Sequence, residues 1–104
     1  MASSQGYLEY ILDCLRECEG ITHRKMMGEY LLYVHGKVFG GIYDDRFLVK
    51  IVPASREMLC DAVAELPYEG GSPMLLVDSE DPLFLRDLIC AMEPQLPVPK
   101  KRKG

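Results

Sequence analysis

Apolar residues recur with two different periods along the chain, and the change of period divides it into elements. Tyr7, Leu8, Ile11, Leu12 and Leu15 stand at helical spacing behind Ser3 or Ser4, either of which can cap a helix that Gly20 then ends. A second helical stripe, Met58, Leu59, Ala62, Val63 and Leu66, follows Pro53, with Ser55 near its start. A third begins at Asp81–Pro82, turns Leu85, Leu88, Ile89 and Met92 inward, and stops before Pro94.

From Thr22 to Val52 the pattern changes to short β-rich runs broken at Met27–Gly28, His35–Gly36 and Asp44–Asp45. The latter two have the length and residue types of tight hairpin turns, which need positive φ that Gly supplies and Asp tolerates. The stretch reads as an antiparallel meander with strands near His23–Met27, Glu29–Val34, Lys37–Tyr43 and Arg46–Ile51, and Pro73–Val77 adds a shorter fifth strand. Two-residue turns set Val34 opposite Lys37 and Tyr43 opposite Arg46, which fixes two faces. One carries Leu31, Tyr33, Val38, Gly40, Ile42, Phe47, Val49 and Ile51, and is expected to meet the helices. The other carries Tyr30, Leu32, Val34, Lys37, Phe39, Gly41, Tyr43, Arg46, Leu48 and Lys50, too apolar a set to be left wholly in water. Tyr30, Leu32, Phe39, Tyr43 and Leu48 are therefore the candidate face for a partner or a dimer, expected to be covered by another chain or by a helix.

Composition narrows the reading. A chain of 104 residues with 48% hydrophobic and 27% charged content suits one globular domain. No apolar run approaches the roughly 20 residues of a membrane span, and the N-terminus lacks the basic start and apolar stretch of a signal peptide, so a cytoplasmic location without membrane contact is expected. Of the 12 Lys and Arg, four lie at Lys100, Lys101, Arg102 and Lys103; the rest of the chain sets eight basic against 16 acidic side chains, a charge near −8. The expected organisation is thus a domain over residues 1–93 and a Pro-rich basic tail over 94–104, read as disordered. An acidic body repels phosphates, so direct DNA binding is expected to be weak at most, through the tail, with a salt slope no steeper than about −0.9 per tail cation.

Candidate chemistry is sparse. There is no nucleophile elbow, Walker loop, H-E-x-x-H run or dinucleotide fingerprint. Cys14 and Cys18 share one side of the first helix, but with Cys60, Cys90, His23 and His35 they offer no C-x-x-C spacing; free thiols, no metal and no cofactor are expected. Arg24 and Lys25, with Lys50, are the candidate anion contacts. Asp44–Asp45 and His35 are accounted for by turns.

The meander carries a family resemblance. R-K-M-M-G-E-Y at Arg24–Tyr30, L-Y-V-H-G-K-V-F-G at Leu32–Gly40 and D-D-R-F-L-V-K at Asp44–Lys50 resemble the TfoX/Sxy N-terminal-domain family. Its members typically read R-K-M-F-G-G-Y, then L-Y-x-x-G-K-x-F-G, then a D-D-R-L-Y-L-K-like strand. The similarity spans about Leu8 to Met92 and is densest in the meander. Met27 stands where Phe is usual, Glu29 replaces the second Gly, and Met74–Val77 lacks the usual aromatic-rich strand.

The resemblance implies an α+β, two-layer sandwich: an antiparallel sheet of about four meander strands plus a fifth, with helices packed on one face. It also implies a non-enzymatic, regulatory protein-interaction module, because the family is named for bacterial competence proteins that act with the cyclic-AMP receptor protein. A protein partner or a homodimer is expected on this reading. The alternative is a domain that binds a small anion, or turns one over, in a cationic cleft formed by Arg24, Lys25 and Lys50.

Overall fold

A computed structural model describes residues 5–26 and 28–96. Helix α1 (Gln5–Cys14) leads into strands β1 (Ile21–Met26), β2 (Glu29–Val34), β3 (Lys37–Ile42) and β4 (Phe47–Val49). Helix α2 (Pro53–Met58), strands β5 (Ala64–Glu65) and β6 (Met74–Leu76), and helix α3 (Pro82–Met92) follow, and a 3-10 turn covers Glu93–Gln95. The six strands form one antiparallel sheet in the order β1-β2-β3-β4-β6-β5. The fold is α+β, with the helices on one face of the sheet. The expected caps Ser3 and Ser4 lie outside the described residues.

Both hairpin turns form as their residues dictate. His35 and Gly36 take φ of 50° and 83°, and Asp44 and Asp45 take 54° and 57°, the left-handed pair that a two-residue hairpin loop requires. Val34 pairs with Lys37, and the Tyr43 and Arg46 backbones exchange hydrogen bonds of 2.9 and 3.0 Å across the second turn. Asp81 caps α3 through a 3.1 Å bond from the Leu83 N–H.

The assignment of faces is corrected by one extra residue. Along β3 the register slips: Tyr33 pairs with Val38, yet Leu32 pairs with Gly40, leaving Phe39 as a bulge. A bulge shifts the alternation by one position, so residues before and after it exchange faces. Tyr30, Leu32, Val34, Phe39, Ile42, Phe47 and Val49 all meet Leu8, Ile11, Leu15, Leu85, Leu88, Ile89 and Met92 in the main core. Phe39 stacks edge-on to Phe47, their centroids 6.5 Å apart. Leu31, Tyr33 and Val38, expected against the helices, face the other way.

The second helix is also shorter than its apolar stripe suggests. It ends at Met58, and the chain turns to pair Ala64–Glu65 with β6; the Leu76 N–H donates to the Val63 carbonyl at 3.0 Å. Strand pairing displaces the helical continuation, and Val63 and Leu66 are left 61% and 50% exposed. Ser55, fully buried, anchors the helix start: its hydroxyl donates to the Lys50 carbonyl at 2.7 Å and accepts from the Val52 N–H at 2.9 Å. At the C-terminal end, the 3-10 turn that follows α3 packs back on the domain. Gln95 Oε1 accepts from the Ala54 N–H at 2.8 Å, and Leu96 is buried in the main core.

Candidate functional site

With the helices on one side, the opposite face of the sheet holds the apolar residues that they do not reach. Tyr43, Leu48 and Met74 are buried there in a second, smaller cluster, with Leu31 and Leu76 packed against it. Its cover is a strap, residues 66–73, that folds back over the sheet. Arg46 holds the strap down. Its guanidinium lies 2.6 Å from Glu65 Oε1 and donates to the carbonyls of Leu66 at 3.2 Å and Pro67 at 3.4 Å, while Nε reaches the Tyr43 carbonyl at 3.1 Å.

The strap covers only part of this face. A furrow of about 510 Å³ runs between it and the sheet, floored by Leu31, Tyr33, Val38 and Met74 and edged by Pro67, Tyr68, Pro73 and Lys50. It shares Leu31, Tyr43 and Tyr68 with a second hollow of about 410 Å³ that ends at Met26 and Glu29. On its other side Tyr33 also borders a shallow depression with Thr22, Arg24 and Gly36. Tyr68 and Met26 are 61% and 46% exposed, large apolar side chains at the furrow's rim. Tyr43 and Tyr68 face one another with centroids 6.2 Å apart. Burial, and then the neighbouring Tyr68 phenol, push the Tyr43 phenol above its ordinary value.

The residues singled out from the sequence are distributed as follows. Tyr30, Leu32 and Phe39 are buried beneath the chain's own helices, whereas Tyr43 and Leu48 are buried on the opposite face. The five therefore do not make one partner surface; the bulge at Phe39 separates them. Arg24 and Lys25, adjacent on β1, pair with Leu31 and Tyr30 and so belong to opposite faces. Lys50 follows β4, three strands from Arg24, which sets them about 14 Å apart across the sheet at ordinary strand spacing, and two residues out of row along it. The three cations do not converge on one cleft. Arg24 and Lys50 do share the outer face, and neither side chain has a hydrogen-bond or ion-pair partner among the described residues. Lys100, Lys101, Arg102 and Lys103 lie outside the described residues.

Elsewhere, His35 Nδ1 lies 3.0 Å from Glu93 Oε2, and Lys37 Nζ donates to the Glu93 carbonyl at 3.2 Å, tying the β2–β3 turn to the end of α3. The four cysteines are free thiols: Cys14 is buried, Cys18 half-buried, and Cys60 and Cys90 exposed. Burial pushes the Cys18 thiol up to about 11. Among the described residues no group of three or more His, Cys, Asp or Glu is placed to hold a metal ion, and no helix is long and apolar enough to cross a membrane.

Sequence reasoning missed the strap and its residues Pro67, Tyr68 and Pro73. The Glu69-Gly70-Gly71-Ser72-Pro73 run does signal a loop. Its return across the sheet depends on the contact between Arg46 and Glu65, 19 positions apart, which no local pattern announces.

The sequence profile of the TfoX N-terminal domain matches residues 13–87. A curated relative, an uncharacterized 12.7 kDa protein in the trpE 5' region of Spirochaeta aurantia, is 34% identical over 107 residues; the alignment covers all of this chain and 92% of the relative. No solved structure matches.

Proposed function

We propose a regulatory, protein-binding role for this chain, which belongs to the TfoX N-terminal domain family. On this reading it is a non-enzymatic interaction module of the competence-regulator type, and its working surface is the outer face of the sheet. One observation carries the proposal: the furrow between strap and sheet is floored by apolar and tyrosine side chains and rimmed by exposed Met26 and Tyr68. A contiguous apolar surface with large apolar side chains left exposed is the usual mark of a protein contact site. The dispersal of Arg24, Lys25 and Lys50 speaks against the alternative of an anion-binding cleft built from all three. Direct DNA contact is assigned to the tail cations alone, since the remainder of the chain carries a charge near −8.

The regulatory reading is tested by transcript profiling in the native host. A deletion strain and a strain carrying Tyr33→Asp, checked for folding by circular dichroism, should alter the same transcripts. A Leu83→Asp strain, changed at an exposed position on α3, should match wild type. A deletion that leaves every transcript unchanged would remove the regulatory reading.

A further inference from the structure

Within that protein-binding reading, we infer the chemistry of the partner: an extended acidic segment of another protein, with large apolar side chains between its carboxylates, lies along the outer-face furrow. The body carries about −8, yet the two cations bordering this furrow system, Arg24 at one side and Lys50 at the other, have no carboxylate partner among the described residues. Of the acids on this face, Glu65 is paired with Arg46 at 2.6 Å, whereas Glu29, at the far end of the adjoining hollow, accepts from the Asp44 N–H at 3.2 Å and keeps its charge. Two cations without a carboxylate partner against the one charge of Glu29 leave the border of the furrow positive, in a protein whose overall charge is negative.

Spacing and shape add to this. Arg24 and Lys50 are about 14 Å apart across the strands, and Lys50 lies two residues along from Leu48, the β4 residue in Arg24's row; the span of about 16 Å is the length of four to five residues of extended chain. Between them lie Tyr33, Leu31 and Val38, which suit aliphatic or aromatic side chains rather than further charge. A segment with two carboxylates about four positions apart and apolar residues between them meets both requirements. A second copy of this same face is disfavoured, because it would bring its own unpaired Arg24 and Lys50 against these. Single-stranded nucleic acid also uses tyrosines and cations, but two cations against an acidic body give it little phosphate neutralisation.

The test uses the full chain, labelled with ¹⁵N, and three probes. One is a short peptide with two glutamates four positions apart flanking leucine and phenylalanine. The second has lysine in place of each glutamate, and the third is an oligothymidylate. The acidic peptide should shift the amide resonances of Arg24, Leu31, Tyr33 and Lys50 saturably, and the lysine peptide should not. Arg24→Glu and Lys50→Ala should each weaken the acidic peptide about fivefold or more, and added salt should weaken it further.

Saturable binding of the lysine peptide or of the oligonucleotide at these residues, without binding of the acidic peptide, would overturn the inference. So would an acidic peptide that moves no outer-face resonance up to millimolar concentration, or one indifferent to both substitutions. If the peptide fails while outer-face substitutions still reproduce the deletion transcripts, only the partner chemistry is wrong; if the transcripts fail as well, the protein-binding reading falls with it.

Discussion

Arg46 Nη1 and Glu65 Oε1 lie 2.6 Å apart, each side chain about 30% exposed, and their contact holds a strap across one face of a sheet whose other face belongs to the helices. The same guanidinium also serves the carbonyls of Tyr43, Leu66 and Pro67. One side chain from a hairpin turn thereby fixes the position of a segment 20 residues further along the chain.

Replacing Arg46 with Ala should release the strap. Hydrogen bonds to a charged group contribute about 1.5–3 kcal/mol net, so the urea midpoint should fall accordingly, with amide exchange accelerated mainly in residues 64–73. Arg46→Lys should recover less than half of the loss, because an ammonium lacks the planar fork that reaches several acceptors together. Unchanged exchange in the strap would contradict this role.

The bulge makes a second demand. A Cβ at Gly40 would run into the Leu48 carbonyl, a backbone atom that moves only if the β3–β4 pairing moves. Gly40→Ala should cost about 1–3 kcal/mol of stability, measured by chemical denaturation. A neutral result would mean that the bulge relaxes freely.

These two features show where sequence reading succeeds and where it stops. The turns were legible because His35–Gly36 and Asp44–Asp45 announce left-handed backbone locally. The pairing of Val34 with Lys37 followed from turn length alone. The faces before Phe39 are not legible relative to those after it, since a period of two carries no mark of the position at which one residue is left unpaired. Alternation alone places Ile42, Phe47 and Val49 on the helix side, where they lie, but puts Leu31, Tyr33 and Val38, on the other side of the bulge, there as well. The same alternation groups Tyr43 and Leu48 with Tyr30, Leu32 and Phe39, from which the bulge divides them.

The thiols should react in the order of their exposure. At pH 8, iodoacetamide should modify Cys60 and Cys90 first; Cys18, its thiol pushed up to about 11 by burial, and buried Cys14 should react only as the protein opens. Peptide mass spectrometry over time reads the order directly. Modification of Cys14 ahead of Cys60 would contradict the packing of α1.

Stability should decline in alkali. Burial raises the Tyr43 and Tyr7 phenols above their ordinary value of 10.0. A group whose pKa is raised by folding stabilises the native state below its unfolded pKa, and that contribution is lost as pH rises through the folded one. The Cys18 thiol, raised from 9.0 to about 11, begins this loss near pH 9 and the phenols extend it, so the urea midpoint should fall from about pH 9 and more steeply above about pH 10, the second part less steeply in Tyr43→Phe. An equally steep fall in that variant would remove Tyr43 from the explanation.

The central claim, that the outer face of the sheet is where this protein meets its partner, is tested most directly by photo-crosslinking in the native host. A photoactivatable residue is placed singly at Met26, Tyr68 or Leu83, all exposed, the first two at the furrow's rim and the third on α3. Met26 and Tyr68 should yield the same protein adduct and Leu83 should yield none. An adduct from Leu83 with Met26 and Tyr68 silent would place the contact on the helical side and contradict the account.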